Sequence, residues 1–213
     1  MTEPRDTKTR IMDSAEALFA EAGFDAVPIR EIMRRADARL GLMSYYFESK
    51  EALLEAVIAR RIDVLSSERK NRLLVFAGTS ESSIEKIVDA FIDPFLEMMT
   101  TKNDGWRNYG RLIAHLAQSS RWIELIHRYF DATSELFIAE LKRICPNVPD
   151  DKVVRGYVCT VGAMLHIFSI TGRMRMLSDG KVDDEDIAKS GADLKTFISS
   201  GLKGTLTEGE RRS

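Results

Sequence analysis

The side chains of this chain whose types and spacing suit a chemical task are gathered between Arg30 and Lys50. Arg30 and Arg39 carry guanidinium groups, which meet phosphates or the edge of a guanine. Leu40 and Leu42 suit thymine methyls, and the hydroxyls of Ser44 and Tyr45 suit phosphate oxygens. Met43 and Phe47 are four apart on one helix and take the core positions. That leaves Leu40, Leu42, Ser44 and Tyr45 outside, with Tyr46 at the boundary. Bulky groups outside a core need a surface to receive them, and the major groove of DNA supplies one. Ser49 then reads as the cap of the next helix. Its free N–H groups and positive end, with Lys50 in the first turn, make a natural phosphate clamp.

Other chemistry is absent from the sequence. His115, His127 and His166 lack the close spacing of a metal site, and no nucleophile motif or glycine-rich phosphate loop is present. Cys145 and Cys159 read as reduced, half-buried thiols. No catalytic, metal or cofactor site is expected, and the chain does not read as an enzyme. At 213 residues, 44% hydrophobic and 30% charged, it has the composition of an ordinary folded protein. No apolar run approaches the roughly 20 residues of a membrane span. The start, MTEPRDTKTR, lacks the apolar core of a signal peptide, so a cytoplasmic protein without a membrane partner is expected. The net charge of −2 argues against a protein that coats nucleic acid nonspecifically. Residues 1–50 carry eight Lys and Arg against nine Asp and Glu, so any DNA footprint there must be local.

The elements that position these groups read as all-α. Ile11, Ala15, Leu18, Phe19 and Ala22 share one face of a helix over 7–22, capped by Asp6 or Thr7 and ended by Gly23. A second helix starts at Pro28, with Ile29, Ile32, Met33 and Ala36 inward. The turn Ala36–Arg39 is too short for an antiparallel return, which predicts a steep crossing of helix-turn-helix geometry. A long helix over 49–76 follows, on which Arg60, Arg61, Arg69, Lys70 and Arg72 read as solvated. Ser82–Glu85 is a capping box for a fifth helix, and Pro94 inside it makes a kink and a pocket wall. After a loop at 102–105, helices are expected over about 105–118, 121–144, 150–177 and 184–203, with a frayed tail. The total is about nine.

Residues 9–58 resemble the N-terminal domain of the TetR family of bacterial transcription regulators. The resemblance lies in TRIMDSAEALFAEAGFDAVPIREIMRRA, then SYYF, then SKEALLEAVI, in this order and spacing. It implies an N-terminal three-helix helix-turn-helix DNA-binding domain over 1–48. A C-terminal helical ligand-binding and dimerisation domain over 49–213 follows, in a homodimer. By resemblance, Arg30, Leu40, Gly41, Leu42, Ser44 and Tyr45 match positions near DNA, and Tyr46 and Lys50 match further contacts. The chain departs from the family at Asp37, where glycine is usual, and at Arg39 and Leu40, where serine and a polar residue are common.

Phe91, Phe95, Met98, Trp106, Tyr109, His115, Trp122, Met164, His166 and Phe168 can line a pocket for a small, largely apolar effector, though each also fits a plain core position. Val158, Val161, Leu165 and Phe168, beside the small residues Gly156, Gly162, Ala163 and Gly172, with Ile187, Leu194, Phe197 and Ile198, are expected at the dimer interface; they too can fill the protomer's own core. The expected partners are thus a double-stranded DNA operator, a second copy of the chain and a small-molecule effector. The competing reading is a helical protein that sequesters a small molecule or a protein without touching DNA.

Overall fold

Asp6 opens the first helix by accepting from the Thr9 N–H at 2.8 Å. Helix α1 (Thr7–Ala22) then runs until Gly23, whose φ of 78° stops it. The computed structural model describes residues 6–101 and 104–207, and among these it is helical, with no strand. Helix α2 (Ile29–Arg35) begins one residue after Pro28, which stays extended instead of taking the first helical position. Asp37 supplies the turn with a left-handed φ of 48°, a conformation Asp tolerates better than most side chains. Helix α3 (Gly41–Tyr46) follows, and Ser49 caps α4 (Lys50–Leu74) by accepting from the Ala52 N–H at 3.0 Å.

The larger part of the chain holds α5 (Ile84–Thr100), α6 (Asp104–Ala117), a 3₁₀ turn at Ser120–Trp122, α7 (Ile123–Ile144), α8 (Asp150–Phe168), α9 (Arg173–Leu177) and α10 (Ile187–Thr207). Ten α-helices therefore stand among the described residues where about nine were expected. The extra one comes from a break in the expected helix 150–177. At Ser169 the hydroxyl turns back to bond the His166 carbonyl, and Ile170 and Gly172 take positive φ values. The last helix also starts later than expected. Asp184, expected in its first turn, is buried and accepts from the N–H groups of Met174 and Arg175 at the start of α9. Of the expected loop, 102 and 103 lie outside the described residues and Asp104 already belongs to α6; 208–213 of the tail and the first five residues lie outside as well.

Packing joins the two parts of the chain at several places. Helix α1 lies against α2, α4 and α6, and α10 lies against α5 and α8. Glu16 on α1 is buried, and both of its oxygens are taken by arginines of α4: Oε2 accepts from Arg60 at 2.8 Å and Arg61 at 2.6 Å, and Oε1 accepts from Arg61 Nε. Arg60 also reaches Asp13 at 2.7 Å, and the Arg61 guanidinium stacks over Trp106 of α6. The arginines expected in solvent are therefore largely committed: Arg60 and Arg61 bind α1, Arg72 pairs with Glu68 and Glu97, and Arg69 is buried. At the other end of α6, Trp122 meets Phe24 edge-on at 4.9 Å, and Arg121 bonds Asp25 at 2.6 Å.

Removing Glu16 takes away the carboxylate that the two guanidinium groups share, while Asp13 still meets Arg60. Glu16→Ala is expected to lower unfolding stability by about 3 kcal/mol, read from urea titrations. A loss below about 1 kcal/mol, the range of an exposed pair, would show that water reaches the network.

Candidate functional site

Met43 and Phe47 are buried and hold α3 against the N-terminal core. The opposite side of the helix is then left outside: Leu40 is 50% and Tyr45 78% exposed, and Ser44 and Gly41 are exposed beside them. Tyr46 is half-buried and meets Tyr45 edge-on at 4.8 Å. Leu42, read from sequence as outside, is half-buried and packs on the core. Helix α2 adds Arg30, and the turn adds Arg39. Both are exposed and make no ion pair among the described residues, whereas Arg34 pairs with Glu31 and Arg35 with Glu21. Of the four arginines of α2 and the turn, Arg30 and Arg39 are thus the two left without an ion pair among the described residues.

Lys50 behaves differently from the rest of its set. Its Nζ donates to the Phe24 carbonyl at 2.5 Å and lies 4.3 Å from the centre of the Phe24 ring. Burial holds its pKa below the usual lysine range, with Asp25 and Glu51 opposing the shift. The ammonium therefore ties the start of α4 to the turn after α1.

A second site lies in the larger part of the chain. A cavity of about 200 Å³ is walled by α4, α5, α6, α7 and α8. Of the residues expected there, Phe91, Phe95, Tyr109 and Met164 line it. The other six do not. Phe168 is buried against Phe95, and Trp106 lies under Arg61. Trp122 packs on Phe24, and Met98 borders a separate surface groove with Pro94. His115 and His166 are exposed and share another surface groove with Glu21 and Arg111, so neither faces the cavity.

Sequence reading missed Arg69, Ser66 and Tyr157 in the cavity wall. Arg69 is 4% exposed; its Nε donates to the Phe91 carbonyl at 2.8 Å and one Nη to the Met164 sulfur at 3.3 Å. Burial lowers its pKa to about 10, so it stays charged at neutral pH. The signal was present in the spacing: Ile58, Ile62, Leu65 and Leu73 mark a buried stripe, and position 69 falls on it. The Tyr109 phenol is buried with no partner among the described residues, and burial pushes its pKa up, so it remains a neutral donor.

The residues expected at the dimer interface also divide. Val158 (61%) and Phe197 (71%) are exposed, with Val154 beside Val158 on α8. Val161 is half-buried and lines the cavity. Leu165, Phe168, Ile187, Leu194 and Ile198 are buried inside the protomer, because α8 and α10 pack on each other and on neighbouring helices. A β-carbon at Gly156 would come within 3.0 Å of Leu202 on α10, so this small residue serves contact within one protomer.

Among the described residues no group of three or more His, Cys, Asp or Glu can hold a metal ion, and no helix is long and apolar enough to cross a membrane. Comparison with known proteins matches residues 11–57 to the model for bacterial regulatory proteins of the tetR family. Residues 89–201 match the tetracyclin repressor-like C-terminal domain. The HTH-type transcriptional repressor KstR of Rhodococcus jostii (strain RHA1) is 36% identical over 67 residues, which is 32% of each chain. The probable HTH-type transcriptional regulator YttP of Bacillus subtilis (strain 168) is 40% identical over 53 residues, 25% of this chain and 26% of YttP. The chain thus matches about a third or less of the length of these curated relatives. The fold extends further: the fatty acid degradation regulator FadR from Bacillus halodurans superposes with a TM-score of 0.63 over 95% of this chain and 99% of its own, at 13% identity.

The Lys50 contact has a direct check. Lys50→Met removes the donor from a part-buried carbonyl and is expected to cost about 1 kcal/mol of stability in denaturant titrations. A variant as stable as the parent would mean that the ammonium is spare and open to a phosphate.

Proposed function

The chain belongs to the TetR family of bacterial transcriptional regulators, and we propose that it acts as a homodimeric repressor, released from a palindromic operator by a small, largely apolar effector. In this reading residues 1–48 are the DNA reader and 49–213 the ligand-binding and dimerisation body. The observation that carries it is the outer face of α3. Leu40 and Tyr45 stand exposed on a helix whose other side is anchored by Met43 and Phe47, and Arg30 on α2 and Arg39 in the turn before α3 are exposed as well. Phosphate contacts from Ser44, Tyr45, Arg39 and the start of α4 fix the register. In this reading Arg30 and Leu40 meet base edges, as guanine and thymine methyl contacts.

Two such readers enter successive major grooves only when a two-fold axis sets their spacing. The exposed Val158 and Phe197, on α8 and α10, are the apolar groups that support a paired face there. Release follows from α4. Ile62, Leu65 and Arg69 of this helix line the cavity, and its first turn directly follows α3. An effector that fits one arrangement of α4 better than the other shifts the population toward it, and by no more than that difference in affinity. Because Glu16 fixes α1 to Arg60 and Arg61, a tilt of α4 carries the reader with it.

Selection of bound sequences from a random DNA pool is expected to recover an inverted repeat. Arg30→Ala should cost roughly 1–3 kcal/mol in affinity and relax one position of each half-site. Recovery of no motif at low salt would favour a protein that sequesters its ligand without touching DNA. For the paired face, Phe197→Asp is expected to raise the dimer dissociation constant by about thirtyfold, as loss of a central apolar anchor worth about 2 kcal/mol does. A variant still dimeric by light scattering at dilute concentration moves the interface elsewhere.

A further inference from the structure

The cavity holds a charge that the protein does not neutralise. Arginine is almost never fully buried unless paired, and this chain obeys the rule with Arg61, which Glu16 meets at 2.6 Å. Arg69 breaks it. Among the described residues no carboxylate is within ion-pair distance of its guanidinium. Its contacts are a backbone carbonyl, a thioether sulfur and the face of Phe91, whose centre lies 3.9 Å from the guanidinium carbon. A guanidinium has five N–H donors, of which two have partners here. Two further polar groups in the same wall, the Tyr109 phenol and the Ser66 hydroxyl, are buried without a partner among the described residues. The acid in the lining, Asp131, is half-exposed and is bonded to His127 at 2.6 Å.

We propose that this cavity takes an apolar carboxylic acid bound as its carboxylate, with the Arg69 guanidinium as its counter-ion and the Tyr109 and Ser66 hydroxyls as additional donors. Phe91, Phe95, Ile113 and Leu165 form an apolar part of the wall that receives the hydrocarbon, while two other hydroxyls of the lining are already engaged, Tyr157 donating to Ser134 at 3.0 Å and Ser134 to the Phe130 carbonyl at 3.0 Å. A single negative charge matches a single cation; a doubly charged phosphate would leave net charge in the same apolar surroundings. The guanidinium fork also matches the two oxygens of a carboxylate. A neutral alcohol of the same length fills the cavity but leaves the buried charge unanswered. The binding itself stands on these contacts alone, while its part in release from DNA rests on the reading given above.

The test uses the full chain, with decanoate and phenylbutanoate as acid probes and decanol and phenylbutanol as neutral ones, followed by calorimetry and thermal shift. The acids should bind saturably and at least about tenfold more tightly than the matching alcohols, the difference expected of a charge-assisted pair. Arg69→Met should lose this preference while still binding the alcohol, and Arg69→Lys should keep part of it. Equal binding of acid and alcohol by the parent overturns the proposal, as does saturable binding of neither acid, or an acid affinity unchanged in Arg69→Met. Should Arg69→Met not fold, the acid-to-alcohol ratio of the parent and of Arg69→Lys decides. These measurements contain no DNA, so their failure leaves operator selection standing, and an empty selection leaves acid binding standing.

Discussion

Glu16 sits buried in α1 with both carboxylate oxygens held by arginines of α4, and the mechanical unity of the chain depends on this contact. A lone buried carboxylate costs several kcal/mol, and so do the part-buried guanidinium groups that meet it. Together they hold one geometry strongly, because breaking the set strands charge on both helices. The network reaches further through Arg61, which stacks on Trp106 of α6. Trp106 in turn meets Tyr109 and Phe95, both in the cavity wall. A continuous row of packed groups therefore runs from the helix beside the DNA reader to the cavity.

The local signals of the N-terminal part agree with one another, and there the sequence was largely legible. Asp6, Gly23, Asp37 and Ser49 each act at the place their chemistry suggests, as cap, stop, turn and cap. Met43 and Phe47 are buried as their spacing requires. Several misreadings share a physical cause: they concern polar residues whose partner is distant in sequence. Arg60 and Arg61 read as solvated until α1 is placed beside them. Asp184 looks like an ordinary helix-opening acid until α9 offers it two N–H groups. The Lys50 ammonium, too, has a partner that its local sequence does not announce, the Phe24 carbonyl.

The helical body was less legible because an apolar stripe does not say which surface covers it. Leu165, Ile187, Leu194 and Ile198 have the spacing of an interface, yet they are consumed by contacts among α5, α8 and α10. Small residues are equally ambiguous: a β-carbon at Gly191 would collide with Leu96 of α5, so this glycine permits close approach inside one protomer. What distinguishes Val158 and Phe197 is exposure, a property of the packed body that no single-helix pattern encodes. The pocket was misread for the same reason. Histidines and tryptophans drew attention by type, whereas the cavity is polarised by an arginine and two hydroxyls.

Position and charge together give Arg69 its weight. It lies 20 residues after Ser49, so about 30 Å of helix separates it from the cap beside α3. A ligand that neutralises it acts on the helix that leads to the reader. The guanidinium is held by its aromatic neighbour and by the Phe91 carbonyl on α5, the helix that contains Pro94. Pro94 has no N–H for the carbonyl of Ala90, so this stretch of α5 has one backbone bond fewer to hold its shape. An anion drawing Arg69 away from Phe91 would therefore strain α4 against a segment already short of a bond. The same withdrawal leaves the Glu16 network intact, because Arg60 and Arg61 precede Arg69 by two turns or more. In the proposed mechanism, movement started at the cavity would reach the reader as a change in the attitude of one rigid unit.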